Sequence, residues 1–153
     1  MSTGHLWLVL AVLTSTPLGR SPQPARSPAE EPAAFFSRFV ELEQAYDTTV
    51  ADLYADDAVI RNKRRYPTGE VREVTIPAPT YKALIRVAMP LAKGRGDRST
   101  YSRCTYEPQD ARIRITCSRY SELKKFTSPY TLVIGPDGSG VWQIREELSE
   151  SRP

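Results

Sequence analysis

The sequence predicts an α+β domain in which N-terminal helices pack on one face of a curved sheet. Two observations carry this expectation. Apolar residues recur at helical spacing over residues 33–46, and the chain after residue 98 consists of strand-like segments separated by turns. Helices followed by a long antiparallel meander are typical of this class. The 153 residues, of which 40% are hydrophobic, are enough for one domain with a core of its own.

The first helix is predicted from an apolar stripe that leaves Arg38, Glu41 and Glu43 largely on the other face. Asp47 then offers an N-cap for a second short helix that continues to Tyr54. The stripe of the first helix consists of Phe35, Phe36, Phe39, Val40 and Tyr46.

The rest of the domain is predicted to be mainly strands, with one further helix. The first strand begins at residues 58–60, and its candidate partner is residues 70–76. Thr80 can cap a helix over residues 81–93, in which Pro90 is expected to kink or end the last turn. The four final strands are predicted at residues 99–107, 112–122, 126–134 and 141–148.

Residues 1–32 differ in composition from the rest of the chain. Residues 1–19 contain no Lys, Arg, Asp or Glu, and the apolar run from Leu6 to Leu13 fits a secretory signal peptide. Residues 20–32 are rich in Pro and Ser and are expected to form a disordered leader. We therefore expect an exported protein, periplasmic or secreted, with no stable membrane insertion after cleavage. An uncleaved anchor and a misassigned start are the alternatives. The domain is then residues 33–149, with a short tail at 150–153.

The two cysteines lie on either side of a predicted hairpin turn centred on Asp110 and Ala111. That register places Cys104 opposite Cys117, close enough for a disulfide, which we expect to form in an oxidising compartment. Two buried thiols are the alternative for a cytosolic protein. A cysteine pair with no His or third Cys nearby is a poor zinc site, so no metal is expected. The sequence contains no Walker loop, GxSxG or HExxH motif, and no cofactor is expected.

The words "FFSRFVELEQAYDTTVADLYADDAVI" and "YTLVIGPDGSGVWQIREE", together with the order of elements, resemble the nuclear transport factor 2-like (NTF2-like) superfamily. This superfamily includes ketosteroid isomerases and SnoaL-like cyclases. The resemblance covers nearly all of residues 33–148. It implies a cystatin-like cone, in which N-terminal helices pack on a strongly curved, mixed and mostly antiparallel sheet.

The resemblance also shows where catalytic residues would lie, and those positions are vacant here. The isomerase base position holds Asn62, which is no carboxylate. The first-helix tyrosine position matches Phe39, and the late-strand acid position falls around Tyr130 and Thr131. The cyclases and dehydratases use His-Asp chemistry, but the only histidine is His5, inside the predicted signal peptide. We therefore predict no catalytic residue from the known sets.

Two charged groups near the first strand have structural interpretations. Asp57 is expected to cap the corner between the short helix and the strand. The basic run from Arg61 to Arg65 is expected to form a solvated strand edge, with binding of an acidic partner as the alternative.

The function expected from these observations is binding of a small apolar or anionic molecule in the cone, or of a protein partner on the sheet, including a homodimer. An enzyme with a non-standard Asp, Glu, Tyr and Arg site is the alternative. The net charge of +3 is too small to predict nucleic-acid binding. Core packing or a surface ion pair is the alternative role for each candidate pocket residue. Those candidates are Tyr46, Tyr54, Arg86, Tyr101, Arg119, Tyr130 and Trp142.

Overall fold

The computed structural model describes residues 30–153. The predicted signal peptide, and the predicted leader up to residue 29, lie outside the described residues. The last residues of that leader are already helical, because the first helix begins at Glu30 and buries Pro32. Proline is tolerated in the first turn of a helix, where its missing N–H has no partner to lose.

The chain folds into two α-helices, one 3-10 helix and one six-stranded sheet. Along the sheet the strand order is β2-β1-β6-β5-β4-β3, with β1 and β6 parallel and all other pairs antiparallel. The predicted mixed, mostly antiparallel sheet is therefore confirmed. The elements are α1 (Glu30–Gln44), the 3-10 helix (Thr48–Leu53), β1 (Tyr54–Arg65), β2 (Val71–Pro77), α2 (Ala78–Arg95), β3 (Ser99–Gln109), β4 (Arg112–Ser121), β5 (Phe126–Pro136) and β6 (Trp142–Ser151).

Asp47 caps the start of the short 3-10 helix, whereas the corner into β1 closes through the Tyr54 backbone N–H, which donates to the Ala51 carbonyl. The Asp47 side chain accepts a hydrogen bond from the Thr49 backbone N–H at 2.8 Å, which confirms the predicted cap of the short helix. The expectation for Asp57 is wrong, because the strand has already begun at Tyr54. The Asp57 carboxylate instead accepts a hydrogen bond from Arg145 Nη1 at 3.0 Å.

Helix α2 is longer at both ends than predicted. It begins at Ala78 directly after β2, and no side chain caps it, so the predicted Thr80 cap is wrong. Pro79 in the first turn removes an N–H that would otherwise need a partner. Pro90 does not end the helix, which continues to Arg95 and closes at Gly96 in the left-handed conformation, φ 63°.

The core lies between the helices and the concave face of the sheet. One row across four strands consists of Ile115, Leu132, Glu147 and Ile60, each opposite the next. All four side chains are buried, and three of them are aliphatic. From the helices, Phe36, Phe39 and Ile85 pack against this face. Glu147 is therefore a carboxyl group in the middle of an apolar layer.

The hairpin β3–β4 has the predicted turn and the predicted disulfide. Tyr106 lies opposite Ile115, as expected for a turn at Asp110 and Ala111. Cys104 and Cys117 are bonded, with Cα atoms 4.2 Å apart. A bulge at Arg103, which has φ 52°, then shifts the register of the inner half of β3 by one residue.

No helix within residues 30–153 is long and apolar enough to cross a membrane.

Candidate functional site

A cavity of about 420 Å³ opens between α2 and the concave face of the sheet. Its α2 wall is mostly apolar and includes Leu84, Ile85 and Met89, whereas the opposite wall presents Glu43 and Arg119. A more open depression of about 400 Å³ lies on the outer face of the sheet, and none of its lining residues carries a carboxylate. Of these two, the cavity inside the cone is therefore the one that combines carboxyl groups with a guanidinium.

Glu43 enters the cavity from the last turn of α1. It follows Phe36 by seven residues and Phe39 by four, so it shares their face of the helix. Tyr101 Oη donates a hydrogen bond to Glu43 Oε2 at 2.7 Å. Burial raises the pKa of Glu43 to about 7, and the negative charges of Glu147 and Asp97 act in the same direction; the Tyr101 hydrogen bond and the positive charge of Arg119 oppose them. Glu43 therefore changes its protonation near neutral pH.

Glu147 forms a second, more enclosed carboxylate cluster. Tyr54 Oη donates to Glu147 Oε2, and Tyr81 Oη donates to Glu147 Oε1 at 2.9 Å. The rings of the two tyrosines contact each other edge to face, with centroids 5.4 Å apart. Burial and then the charge of Glu147 raise the pKa of both tyrosines well above the usual value, so both remain hydrogen-bond donors.

Arg119 lies beside the Glu43–Tyr101 pair. Arg119 and Tyr101 are cross-strand partners on β4 and β3, and the guanidinium lies over the Tyr130 ring, 5.3 Å from its centroid. Its Nη2 donates to the Glu150 carbonyl at 2.6 Å. Burial opposes the charge of Arg119, but the adjacent Tyr101 and Tyr130 hydroxyls and the two glutamates outweigh it and raise the pKa. The guanidinium is therefore a fixed positive charge at the cavity wall.

Similar proteins are found for this chain by comparison of structures and not by comparison of sequences. No family model and no curated protein matches the sequence. An NTF2-like protein of unknown function from Pseudomonas putida KT2440 superposes with a TM-score of 0.59 at 14% identity, over 78% of this chain and 82% of that one. One from Shewanella oneidensis MR-1 also reaches 0.59 at 12% identity, over 82% and 100%. The chain has the NTF2-like fold.

A third solved structure agrees with that assignment. An NTF2-like protein with a cystatin-like fold from Novosphingobium aromaticivorans has a TM-score of 0.52 at 11% identity, over 79% of this chain and 80% of that chain. These identities are low enough that the likeness concerns the fold, and the activity of the NTF2-like cone has to be inferred from its own residues.

The structure brings five of the seven predicted pocket residues to the inside of this NTF2-like cone. Tyr46 and Arg119 line the cavity, and the buried Tyr54 and Tyr130 and the partly buried Tyr101 lie among the carboxylates and Arg119. The other two lie elsewhere: Arg86 Nη2 pairs with Asp52 Oδ1 at 2.7 Å on the surface, and Trp142 packs against the core at the start of β6.

Among the hydrogen-bonded carboxyl and tyrosine groups of the site, the sequence did not predict Glu43, Tyr81 and Glu147. It also did not predict the charged lining residues Asp97, Lys124 and Arg152. The interpretation that Glu43 lies off the apolar stripe is wrong, and its spacing from Phe36 and Phe39 was the available signal. Glu147 had no such signal. A register shift between β5 and β6 near Arg145 allows both Ile144 and Glu147 to face the core, which strict alternation forbids.

The positions that carry catalysis in the isomerases have structural contacts here. Asn62 Nδ2 donates to Ser149 Oγ at 2.9 Å and Asn62 Oδ1 accepts from Ser151 Oγ at 2.8 Å, which joins β1 to β6. Phe39 stacks on Tyr130, with centroids 6.3 Å apart.

The basic run that follows Ile60 is paired along the sheet. Arg65 Nε lies 2.7 Å from Glu150 Oε1, and Lys63 Nζ lies 3.9 Å from Glu73 Oε2. The run lies within β1, which is hydrogen-bonded to β2 on one side and to β6 on the other, so the expectation of a strand edge is wrong. Within residues 30–153 no three side chains of the His, Cys, Asp and Glu types come together to hold a metal ion.

Proposed function

We propose that the domain is an exported binding protein that holds a small, mainly apolar molecule with an anionic group inside the cone. The observation that carries this proposal is a cavity of about 420 Å³ with an apolar wall on α2 and Arg119 on the opposite wall. Pockets that bind small molecules are of this size and combine apolar walls with a few fixed polar groups.

The charge around the opening supports an anionic group on the ligand. Lys124 and Arg152 line the cavity together with Arg119, whereas Asp97 and Glu43 are the acidic lining residues. Because Glu43 has a pKa of about 7, part of the population carries no charge there at neutral pH. The positive lining charges then outnumber the negative ones, which favours an anion.

Two arginines provide a matched test of this proposal. An anilinonaphthalene sulfonate dye combines an apolar body with an anionic group, and its fluorescence reports binding. Arg119→Gln should weaken dye binding at least about tenfold, the equivalent of about 1.4 kcal/mol. Arg86→Gln should bind like the unchanged protein, because Arg86 pairs with Asp52 on the surface. Equal affinity of both variants would contradict the proposal.

Export rests on the predicted signal peptide together with the Cys104–Cys117 disulfide. Disulfides persist in oxidising compartments and are rare in the cytosol. Intact-mass measurement of material secreted by its own host should show a chain shortened at its N-terminus with both cysteines oxidised. A full-length chain retained in the cell would argue against export.

An enzyme is the second candidate, and Glu43 is the observation that favours it. A carboxyl group that titrates near pH 7 and lines a cavity can accept and return a proton. If the protein is an enzyme, it should introduce deuterium from heavy water beside the carbonyl of small ketones, and Glu43→Gln should abolish this. A ketone panel without enzyme-dependent exchange would leave binding as the function.

A homodimer through the outer face of the sheet remains a further proposal. That face carries the ion pairs of Glu146 with Arg61 and Arg112, at 3.7 and 3.9 Å, so an interface there would be polar. Light scattering at two salt concentrations would measure the mass, and a dimer of this kind should weaken at high salt.

A further inference from the structure

The cavity has one feature that narrows the ligand class beyond an anionic group: a carboxyl and a guanidinium share the same wall. Glu43 and Arg119 both line the cavity, and both are neighbours of Tyr101. Glu43 accepts a hydrogen bond from Tyr101, and Arg119 lies opposite Tyr101 on the adjacent strand. An anionic group attracted to Arg119 therefore arrives close to Glu43.

We infer that the ligand is a small carboxylic acid whose carboxylate lies against Arg119 and Glu43 and shares one proton with the Glu43 carboxyl. This inference rests on the proposed function, since it names the ligand class of the same cavity.

Arg119 has binding capacity for such a group. Its Nη2 donates to the neutral carbonyl of Glu150, a contact that leaves the positive charge available to a ligand; its Nε is buried and has no partner among the described residues. A guanidinium suits a planar carboxylate better than it suits other anions of similar size, because its N–H groups form a fork. The stacking on Tyr130 holds that fork in one orientation.

Glu43 decides when a carboxylate can enter. Two ionised carboxylates in contact repel each other, so one proton must lie between them. The proton comes from solvent when Glu43 is ionised before binding, and no other bond changes. The groups that face Glu43 from the surrounding elements are Asp97, Tyr81, Tyr101, Arg119, Tyr130 and Glu147.

Among these groups only Arg119 is positive, and Glu147 already accepts two tyrosine hydrogen bonds. Both carboxyl oxygens of Glu147 are therefore already hydrogen-bonded, and Glu43 is the carboxyl that can donate a hydrogen bond to the ligand. Binding should consequently take up about one proton at about pH 8 and almost none at about pH 6, since the pKa of Glu43 is about 7.

The test uses calorimetry with hexanoate, benzoate and naphthoate as probes, each paired with its neutral amide, in two buffers of different ionisation heat. The affinity of the unchanged protein for the carboxylates should fall about tenfold per pH unit above pH 7, with proton uptake. Glu43→Gln, which mimics the protonated carboxyl, should bind them with equal affinity from about pH 6 to pH 8 and without uptake.

A second variant makes the test independent of Glu43→Gln. Tyr101→Phe removes a hydrogen bond that lowers the pKa of Glu43, so the pH at which affinity falls should move upward. Carboxylate binding without proton uptake would overturn the inference and leave the proposed function standing, whereas tighter binding of the amides than of the carboxylates would contradict both. Failure of every carboxylate and every amide to bind would overturn both.

Discussion

Glu147 and Glu43 are two carboxyl groups inside the cone that have the same chemistry but different surroundings. Glu147 is 2% exposed, lies within the sheet and accepts hydrogen bonds from Tyr54 and Tyr81. Glu43 lies at the end of a helix, accepts one hydrogen bond from Tyr101 and faces a cavity. Both require polar partners in an apolar layer. The difference indicates that Glu147 stabilises the fold, whereas Glu43 is available to a ligand.

The largest expected effect separates the two groups by stability. Glu147→Ala leaves two buried tyrosine hydroxyls without an acceptor and should lower the free energy of unfolding by roughly 3–5 kcal/mol. Glu43→Ala should cost much less, because the Tyr101 hydroxyl can bind water in the cavity. Urea unfolding of both variants measures this. An equal loss of unfolding free energy in both variants would show that Glu43 and Glu147 contribute alike to stability, and would contradict the separate roles given to them.

The disulfide provides the next test, since it braces only the Glu43 side. Cys104 and Cys117 join β3, which carries Tyr101, to β4, which carries Arg119. Replacing both cysteines by alanine should lower stability by roughly 3 kcal/mol, as expected for a loop of this length. Amide hydrogen exchange should accelerate more in β3 than in β6. A uniform increase along the sheet would contradict the local bracing.

The pH dependence of stability should also come from Glu43. Its pKa is raised from 4.5 to about 7, so the folded state holds a proton that the unfolded state has lost in that range. This contribution is fully present below pH 4.5 and disappears as pH rises through 7, with a slope of at most about 1.4 kcal/mol per pH unit. Urea unfolding across this range should show the decline, and Glu43→Gln should remove it.

The smallest effect is expected at Arg86. Its pair with Asp52 is solvent-exposed on both sides, so Arg86→Ala should change stability by less than about 1 kcal/mol. A larger loss in urea unfolding would mean that the outer face of α2 contributes more than its exposure indicates.

Most of the fold could be predicted from local patterns. The four final strands, the β3–β4 turn and the Asp47 cap follow from alternation and turn residues that act within a few positions. The disulfide could be predicted from the same register, because the bulge at Arg103 shifts only the part of β3 that precedes Cys104 in the chain.

The site was only partly predictable. The position of Glu43 follows from local helical spacing, whereas the position of Glu147 depends on how distant strands pair. The helical spacing of Glu43 from Phe36 and Phe39 indicates an inward position, but a charged residue is usually exposed, so the sequence was interpreted as placing it toward solvent. Glu147 is buried by a bulge that reverses the parity of β6, and no short pattern in the sequence encodes that bulge. Tyr54, Tyr101 and Tyr130 could be predicted because tyrosine is apolar enough to be buried whichever carboxyl it contacts, whereas Tyr81 was missed.

The most direct test of the account is a carbon NMR titration of the glutamate carboxyl groups, with Glu43→Gln used for assignment. The raised pKa of Glu43 predicts one resonance with a midpoint near pH 7 that is absent from the variant, and this midpoint should move upward when benzoate binds. If the Glu43 resonance titrates near 4.5 in the free protein, the cavity carboxyl carries no proton at neutral pH and cannot share one with a bound carboxylate.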